Sequence, residues 1–144
     1  MKKFIIINGP NLNMLGIREP DVYGRADYDA LLKMIAEKAE QMGVAADVFQ
    51  RNGEGELVDL IQSARGIYDA IIINPAAYTH YSYAIFDAIK AVGVPTFEVH
   101  ISNIDAREDF RKNSVTAGAC AGSIRGMGLF GYLLAMEAAD NATN

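Results

Sequence analysis

Apolar residues in this 144-residue chain gather in short blocks, separated by longer stretches in which they recur every three or four positions. The block at 4–7 is apolar on both faces, as a buried parallel strand is, and 44–49, 70–73 and 95–99 read as further strands. Between them the spacing is helical. Over about 27–42, Tyr28, Leu32, Ile35, Ala39 and Met42 form one stripe while Asp29, Lys33, Glu37 and Glu40 face outward. Leu57, Leu60, Ile61 and Ala64 mark a second helix. Tyr81, Ala84, Ile85, Ala88, Ile89 and Val92 mark a third. Gly43, Gly66 and Gly93 stop these three helices shortly before a strand, where glycine takes the left-handed cap conformation cheaply. The remainder is less regular: a short helix is predicted over 106–112, a fifth strand over 114–120 and a final helix over 131–139.

Strands and helices alternating at this length imply a parallel sheet with helices on both faces. The predicted architecture is α/β, a three-layer flavodoxin-like fold with a five-stranded parallel sheet, as one domain over 1–144. With 51% hydrophobic and 22% charged residues, the chain is too apolar to be disordered. No apolar run approaches the roughly 20 residues of a membrane span. The apolar run after Met1-Lys2-Lys3 is too short for a signal peptide, and lone Cys120 cannot form an internal disulfide. A cytoplasmic location is therefore expected. The charge of −5, with 13 Lys+Arg against 18 Asp+Glu and no basic block, argues against nucleic acid. A small anionic ligand would need local arginines to overcome the global sign.

Each of the first four predicted strands ends in polar residues: Asn8 to Asn13, Gln50-Arg51-Asn52, Asn74-Pro75 and His100 to Asn103. In a parallel sheet these ends share one edge, where ligand crevices form. Turn punctuation explains any one cluster. Four together, with His80 and His100 both on that edge, point to a site. Glu98 and His100 stand two apart on a strand and so share a face. A carboxylate there would orient the imidazole and raise its pKa, as a general acid requires, although an ordinary buried ion pair has the same spacing. The long aperiodic segment 12–26 carries Arg18 and Tyr23. A neighbouring guanidinium would favour the phenolate and make Tyr23 a base, whereas a surface loop with a packed tyrosine would look alike. Arg107 and Arg111, four apart on the predicted 106–112 helix, would suit a carboxylate or a polyhydroxylated ligand, or else pair with Glu108 and Asp109.

Some patterns lead nowhere. Gly126, Gly128 and Gly131 have dinucleotide-motif spacing, but too little chain follows, so close packing at a helix start is the better reading. The segment 9–16 lacks the Lys-Ser/Thr sequel of a nucleotide loop. Two histidines and one cysteine at these spacings form no recognisable metal site.

The ordered motifs resemble one family along nearly the whole chain. Asn8-Gly9-Pro10-Asn11-Leu12-Asn13, Leu15-Gly16, Arg18-Glu19-Pro20 and Tyr23-Gly24 are similar to the opening of the type II 3-dehydroquinate dehydratases. So are Gln50 with Glu54-Gly55-Glu56-Leu57, the run Ile73 to His80, the run Glu98 to Asn103, Arg107-Glu108 and Phe110-Arg111. The resemblance implies reversible anti dehydration of 3-dehydroquinate to 3-dehydroshikimate through an enolate, with no organic cofactor and no metal. By position, Tyr23 would be the base, Arg18 would keep it ionised, and Asn11 would hold a water against the enolate. His100, oriented by Glu98, would protonate the departing hydroxyl. Asn74, His80 and Arg111 would bind ring hydroxyls, and the Ile101 and Ser102 backbone would grip the carboxylate. The resemblance further implies a homo-oligomer, a dodecamer built of trimers, in which Asp87 reaches a neighbour's substrate. It fits aromatic biosynthesis and quinate breakdown alike. Arg51, Tyr81 and Tyr83 depart from the family's usual residues without replacing a catalytic position.

The residues agree with this chemistry. Lys2, Lys3, Lys33, Lys38, Lys90 and Lys112 all lie away from the strand-end clusters, so an enolate route is preferred to a Schiff base. A flavin-binding electron carrier is the main rival. It would need a Ser/Thr-rich phosphate loop after the first strand, and a phosphoacceptor domain would need an aspartate where Asn74 stands.

Overall fold

The structure, a computed structural model, describes residues 1–17 and 26–144. Five parallel strands, β1 (Lys3–Asn8), β2 (Ala45–Gln50), β3 (Ala70–Asn74), β4 (Thr96–His100) and β5 (Gly122–Arg125), form one sheet in the order β2-β1-β3-β4-β5. Four α-helices among the described residues cover it: α1 (Tyr28–Met42), α2 (Glu54–Ser63), α3 (Tyr83–Val92) and α4 (Phe130–Ala142). Because side chains alternate along a strand, Phe4, Ile6, Ala70 and Ile72 join one core with α1 and α4. Ile5, Ile7, Ile71 and Ile73 join the other with α2 and α3. The expected three-layer flavodoxin-like arrangement is the one observed.

Local chemistry starts and stops the helices. Asp27 Oδ1 accepts from Ala30 N at 2.9 Å at the start of α1, and Ser82 Oγ accepts from Ile85 N at 3.0 Å at the start of α3. Tyr81 therefore precedes α3, where the spacing had placed it inside. Gly43 and Gly93 close α1 and α3 in the left-handed region, each with φ 70°.

Two expectations need correcting. Residues 114–120 are not a strand: they fold as irregular chain and the 3-10 turn Thr116–Ala119, and β5 lies a few residues further on. The hydroxyls of Ser114 and Thr116 turn inward to Glu98, and Val115 N bonds to Thr79 O at 2.7 Å, so this backbone is committed elsewhere than the sheet. Residues 106–112 do not form one helix either. Two 3-10 turns, Ile104–Ala106 and Asp109–Arg111, replace it, the first capped by Asn103 Oδ1 accepting from Asp105 N at 3.2 Å. Of the late glycines, Gly126 and Gly131 pack closely, with an added Cβ lying 3.0 Å from Asn103 Cβ and 3.4 Å from Val99 Cγ1, whereas Gly128 has open space around it.

Register aligns the polar strand ends. Asn8 pairs with Gln50 on one side and Asn74 on the other. Asn8 and Asn74 are buried, and Tyr132 of α4 satisfies both: its hydroxyl donates to Asn8 Oδ1 at 2.6 Å and accepts from Asn74 Nδ2 at 2.9 Å. Burial is the main reason the Tyr132 phenol titrates far above its ordinary value, with the Asn74 hydrogen bond working against it. A Tyr132→Phe variant leaves Asn8 Oδ1 without its donor. Its unfolding free energy by urea titration should fall by about 1–3 kcal/mol; an unchanged midpoint would contradict the importance of this link.

Candidate active site

In a doubly wound sheet a crevice opens where the strand order reverses, because successive crossovers leave on opposite faces. Here β1 is followed in the chain by β2 on one side and flanked by β3 on the other. A cleft sits beyond the carboxyl ends of β1, β3 and β4, on the β3 and β4 side of that reversal. Its walls are the loop after β1 (Asn11, Leu12), the turn after β3 (Ala76, His80), the end of β4 (His100 to Ser102) and the turns carrying Arg107 and Arg111.

The first wall is shaped by close backbone contact. Gly9 N donates to Asn74 O at 2.8 Å, and a Cβ on Gly9 would lie only 2.6 Å from Pro75 O. No other residue fits there without moving the loop. Asn11 follows with φ 70°, in the left-handed region that asparagine tolerates better than most residues. Its amide donates to Asn52 Oδ1 at 3.1 Å, and Gln50 Nε2 donates to Gly9 O at 3.0 Å. Gln50 at the end of β2 and Asn52 just beyond it thus brace the Asn11 loop and do not line the cleft. The departure at Arg51 is accommodated at the same place: its Nη1 donates to Gln50 O at 2.8 Å, and its guanidinium lies 5.7 Å from the Phe49 ring centre.

Glu98 and His100 do meet. His100 Nε2 lies 2.8 Å from Glu98 Oε2, with the carboxylate fully buried and the imidazole nearly so. Burial alone would push the Glu98 carboxyl up. The His100 bond and charge, with hydroxyl donation from Thr116 and Ser114, outweigh it and hold the group below its ordinary value. An ionised Glu98 accepts from Nε2–H, which leaves Nδ1 as the ring nitrogen without a partner among the described residues.

His80 ends the 3-10 turn Ala76–His80, which begins with Ala76 at φ 55° and its amide on Asn74 Oδ1 at 3.1 Å. Its Nδ1 bonds to Asn113 O at 2.7 Å. Desolvation, supported by the charges of Arg111, His100 and Arg107, pushes its pKa below 6.5, against the pull of the Asn113 carbonyl. Near neutral pH the ring is uncharged. Arg111 Nε lies 2.9 Å from Glu108 Oε2, so this arginine is ion-paired as well as facing the cleft.

Of the residues singled out from the sequence, Asn11, Asn74, His80, His100, Ile101, Ser102 and Arg111 line the cleft, and Glu98 stands directly behind His100. Asp87 does not join them: it is exposed on α3. Tyr23 and Arg18 lie outside the described residues. Sequence reasoning missed Thr79, Ser114 and Thr116 around Glu98. They are 16 to 19 positions away in sequence, and no spacing rule connects them to it. Among the described residues no cluster of three histidine, cysteine or carboxylate side chains has the arrangement to hold a metal ion.

The comparison with known proteins agrees with this geometry. The family profile described as Dehydroquinase class II matches residues 2–140. The chain is 58% identical to the 3-dehydroquinate dehydratase of Caldicellulosiruptor bescii over 139 residues, 96% of each chain. It is 50% identical to that of Clostridium acetobutylicum over the same share of each. The crystal structure of type II dehydroquinase from Butyrivibrio crossotus superposes with a TM-score of 0.95 at 48% identity, covering 96% of this chain and 97% of that one. A fold, a cleft and near-complete sequence matches that all agree place the chain in the class II dehydroquinase family, the type II 3-dehydroquinate dehydratases.

Proposed function

We propose that the chain dehydrates 3-dehydroquinate to 3-dehydroshikimate through an enolate, with Tyr23 as base and His100 as acid. The observation that carries the reading is the buried Glu98–His100 pair, at the end of β4, facing a cleft lined by Asn11, His80 and Arg111. The Tyr23 phenolate, kept ionised by Arg18, takes a proton from the carbon beside the ketone, and the electron pair moves onto the carbonyl oxygen. A water held at Asn11 donates to that enolate oxygen. The enolate then collapses, the hydroxyl on the β carbon leaves, and His100 gives it a proton so that it departs as water. A weakly acidic C–H and a poor leaving group both need help, and the two residue pairs supply it from different elements. Asn74, His80 and Arg111 bind the ring hydroxyls, and the backbone at Ile101 and Ser102 takes the carboxylate. None of the six lysines, all among the described residues, lines the cleft, which favours the enolate over a Schiff base.

The reading extends to assembly. Asp87 is exposed on α3, and Tyr81 and Tyr83 beside it are 59% and 73% exposed. Their exposure supports an interface between copies of the chain on this face, and the family resemblance extends it to a dodecamer of trimers in which Asp87 completes a neighbour's cleft. Among the described residues no helix is long and apolar enough to cross a membrane, and a cytoplasmic location suits the free thiol of Cys120.

Adding 3-dehydroquinate should raise the ultraviolet absorbance of the conjugated enone. Tyr23→Phe and His100→Gln should each lower kcat by about 10²–10⁴-fold while the protein remains folded. Turnover at the unsubstituted rate by either would overturn that residue's role. Borohydride added with substrate should leave activity intact; inactivation with a lysine adduct would replace the enolate by a Schiff base. Stability should depend on pH in one direction. His80 and Glu98 both bind protons less readily folded than unfolded, so their contributions are complete above 6.5 and 4.5 and are lost as pH falls through each range. The urea midpoint should therefore drop between pH 7 and pH 5 and again below the ordinary carboxylate range, and a flat profile would contradict this.

A further inference from the structure

Two hydroxyls donate to the Glu98 carboxylate beside His100, and a third stands behind them. Thr116 Oγ1 donates to Glu98 Oε1, and Ser114 Oγ donates to Glu98 Oε2 at 2.7 Å. Both hydroxyls also lie 2.7 Å from Thr79 Oγ1, and Ala117 N donates to Ser114 Oγ at 3.1 Å. Thr79 and Thr116 are fully buried, and none of the three lines the cleft. An ionised carboxylate can only accept, so the Ser114 and Thr116 protons are committed to Glu98. The single Thr79 proton must then point at one of those two oxygens. Proton direction in the cluster is thereby fixed, running from Thr79 toward the carboxylate.

The same short segment grips the other histidine. Val115 N donates to Thr79 O at 2.7 Å, and Asn113 O bonds His80 Nδ1 at 2.7 Å. Residues 113–117 therefore hold both the His80 turn and the Glu98 carboxylate, which no neighbouring strand residue does.

We infer that Thr116 and Ser114 are positioning residues for the dehydration, whose donation to Glu98 keeps its carboxylate aimed at His100 and sets how readily His100 gives up its proton. This rests on the reading of His100 as the acid. A carboxylate with three donors spreads its charge among them. Removing one hydroxyl concentrates that charge on the His100 bond, which binds the imidazolium proton more tightly and makes it a weaker acid. Other ionisable groups near the pair are His80 after β3, Arg107 and Arg111 on the turns, Cys120 near Glu98, and Arg125 of β5, which pairs with Asp105. A substitution at Thr116 leaves every one of them in place.

Thr116→Val keeps the side-chain shape and deletes the donor. It should lower kcat roughly tenfold with KM nearly unchanged, and move the basic limb of the kcat–pH profile upward. Thr116→Ser should restore both the rate and the limb. Equal losses in the two variants with no movement of the limb would mean a packing role only and overturn the inference. A Thr116→Val enzyme with the unsubstituted profile, alongside an inactive His100→Gln, would overturn the inference and leave the acid assignment standing. Full activity in His100→Gln would overturn both. If Thr116→Val does not fold, Ser114→Ala at the half-buried position carries the same expectations and the same refutations.

Discussion

A parallel sheet covered on both faces leaves polar side chains almost nowhere to go except the strand ends. In this chain β1, β3 and β4 are buried nearly throughout, and two apolar cores occupy the space on either side of the sheet. Chemistry is thereby driven to the carboxyl edge, and reversal of strand order next to β1 opens that edge into a cleft. The site follows from this constraint more than from any single residue.

Polar groups that remain inside the layers must then be satisfied in place, since each unpartnered one costs on the order of 1–3 kcal/mol. Two solutions are visible. Tyr132 reaches from α4 to join Asn8 and Asn74, so the helix on one face fixes the amides at the ends of β1 and β3. Glu98 is a stricter case because it carries charge: it is fully buried and draws donors from His100, Ser114 and Thr116. The segment 114–120 meets that demand from outside the sheet: Ser114 and Thr116 give their hydroxyls to the carboxylate, and Val115 N is spent on Thr79 O.

Much of the fold was legible because buried strands and amphipathic helices write their period directly into the sequence. Phe4 to Ile7 is apolar at every position since both faces are covered, and α1 shows one stripe since only one face is. Legibility fell where tertiary contacts outweigh local pattern. Ala106 to Lys112 has helical spacing, yet Arg107 and Arg111 are held near the cleft by two short turns instead. For the candidate site, the polar strand ends indicated the edge on which the cleft lies. They did not reveal that Gln50 and Asn52 act from behind, as supports for the Asn11 loop.

The chain by itself determined the alternation of elements, the sheet edge that carries the cleft, and the nearness of Glu98 to His100, because all three depend on local period or on residues two apart. Only the tertiary structure decided how the buried carboxylate is satisfied. It likewise decided that His80 and Glu98 share one clamp at 113–117, and that Tyr132 joins two strand ends. Those contacts link residues 16 to 124 positions apart. Hydrogen bonding requires only that groups meet in space, and nothing in a linear pattern records which distant hydroxyl will reach which oxygen.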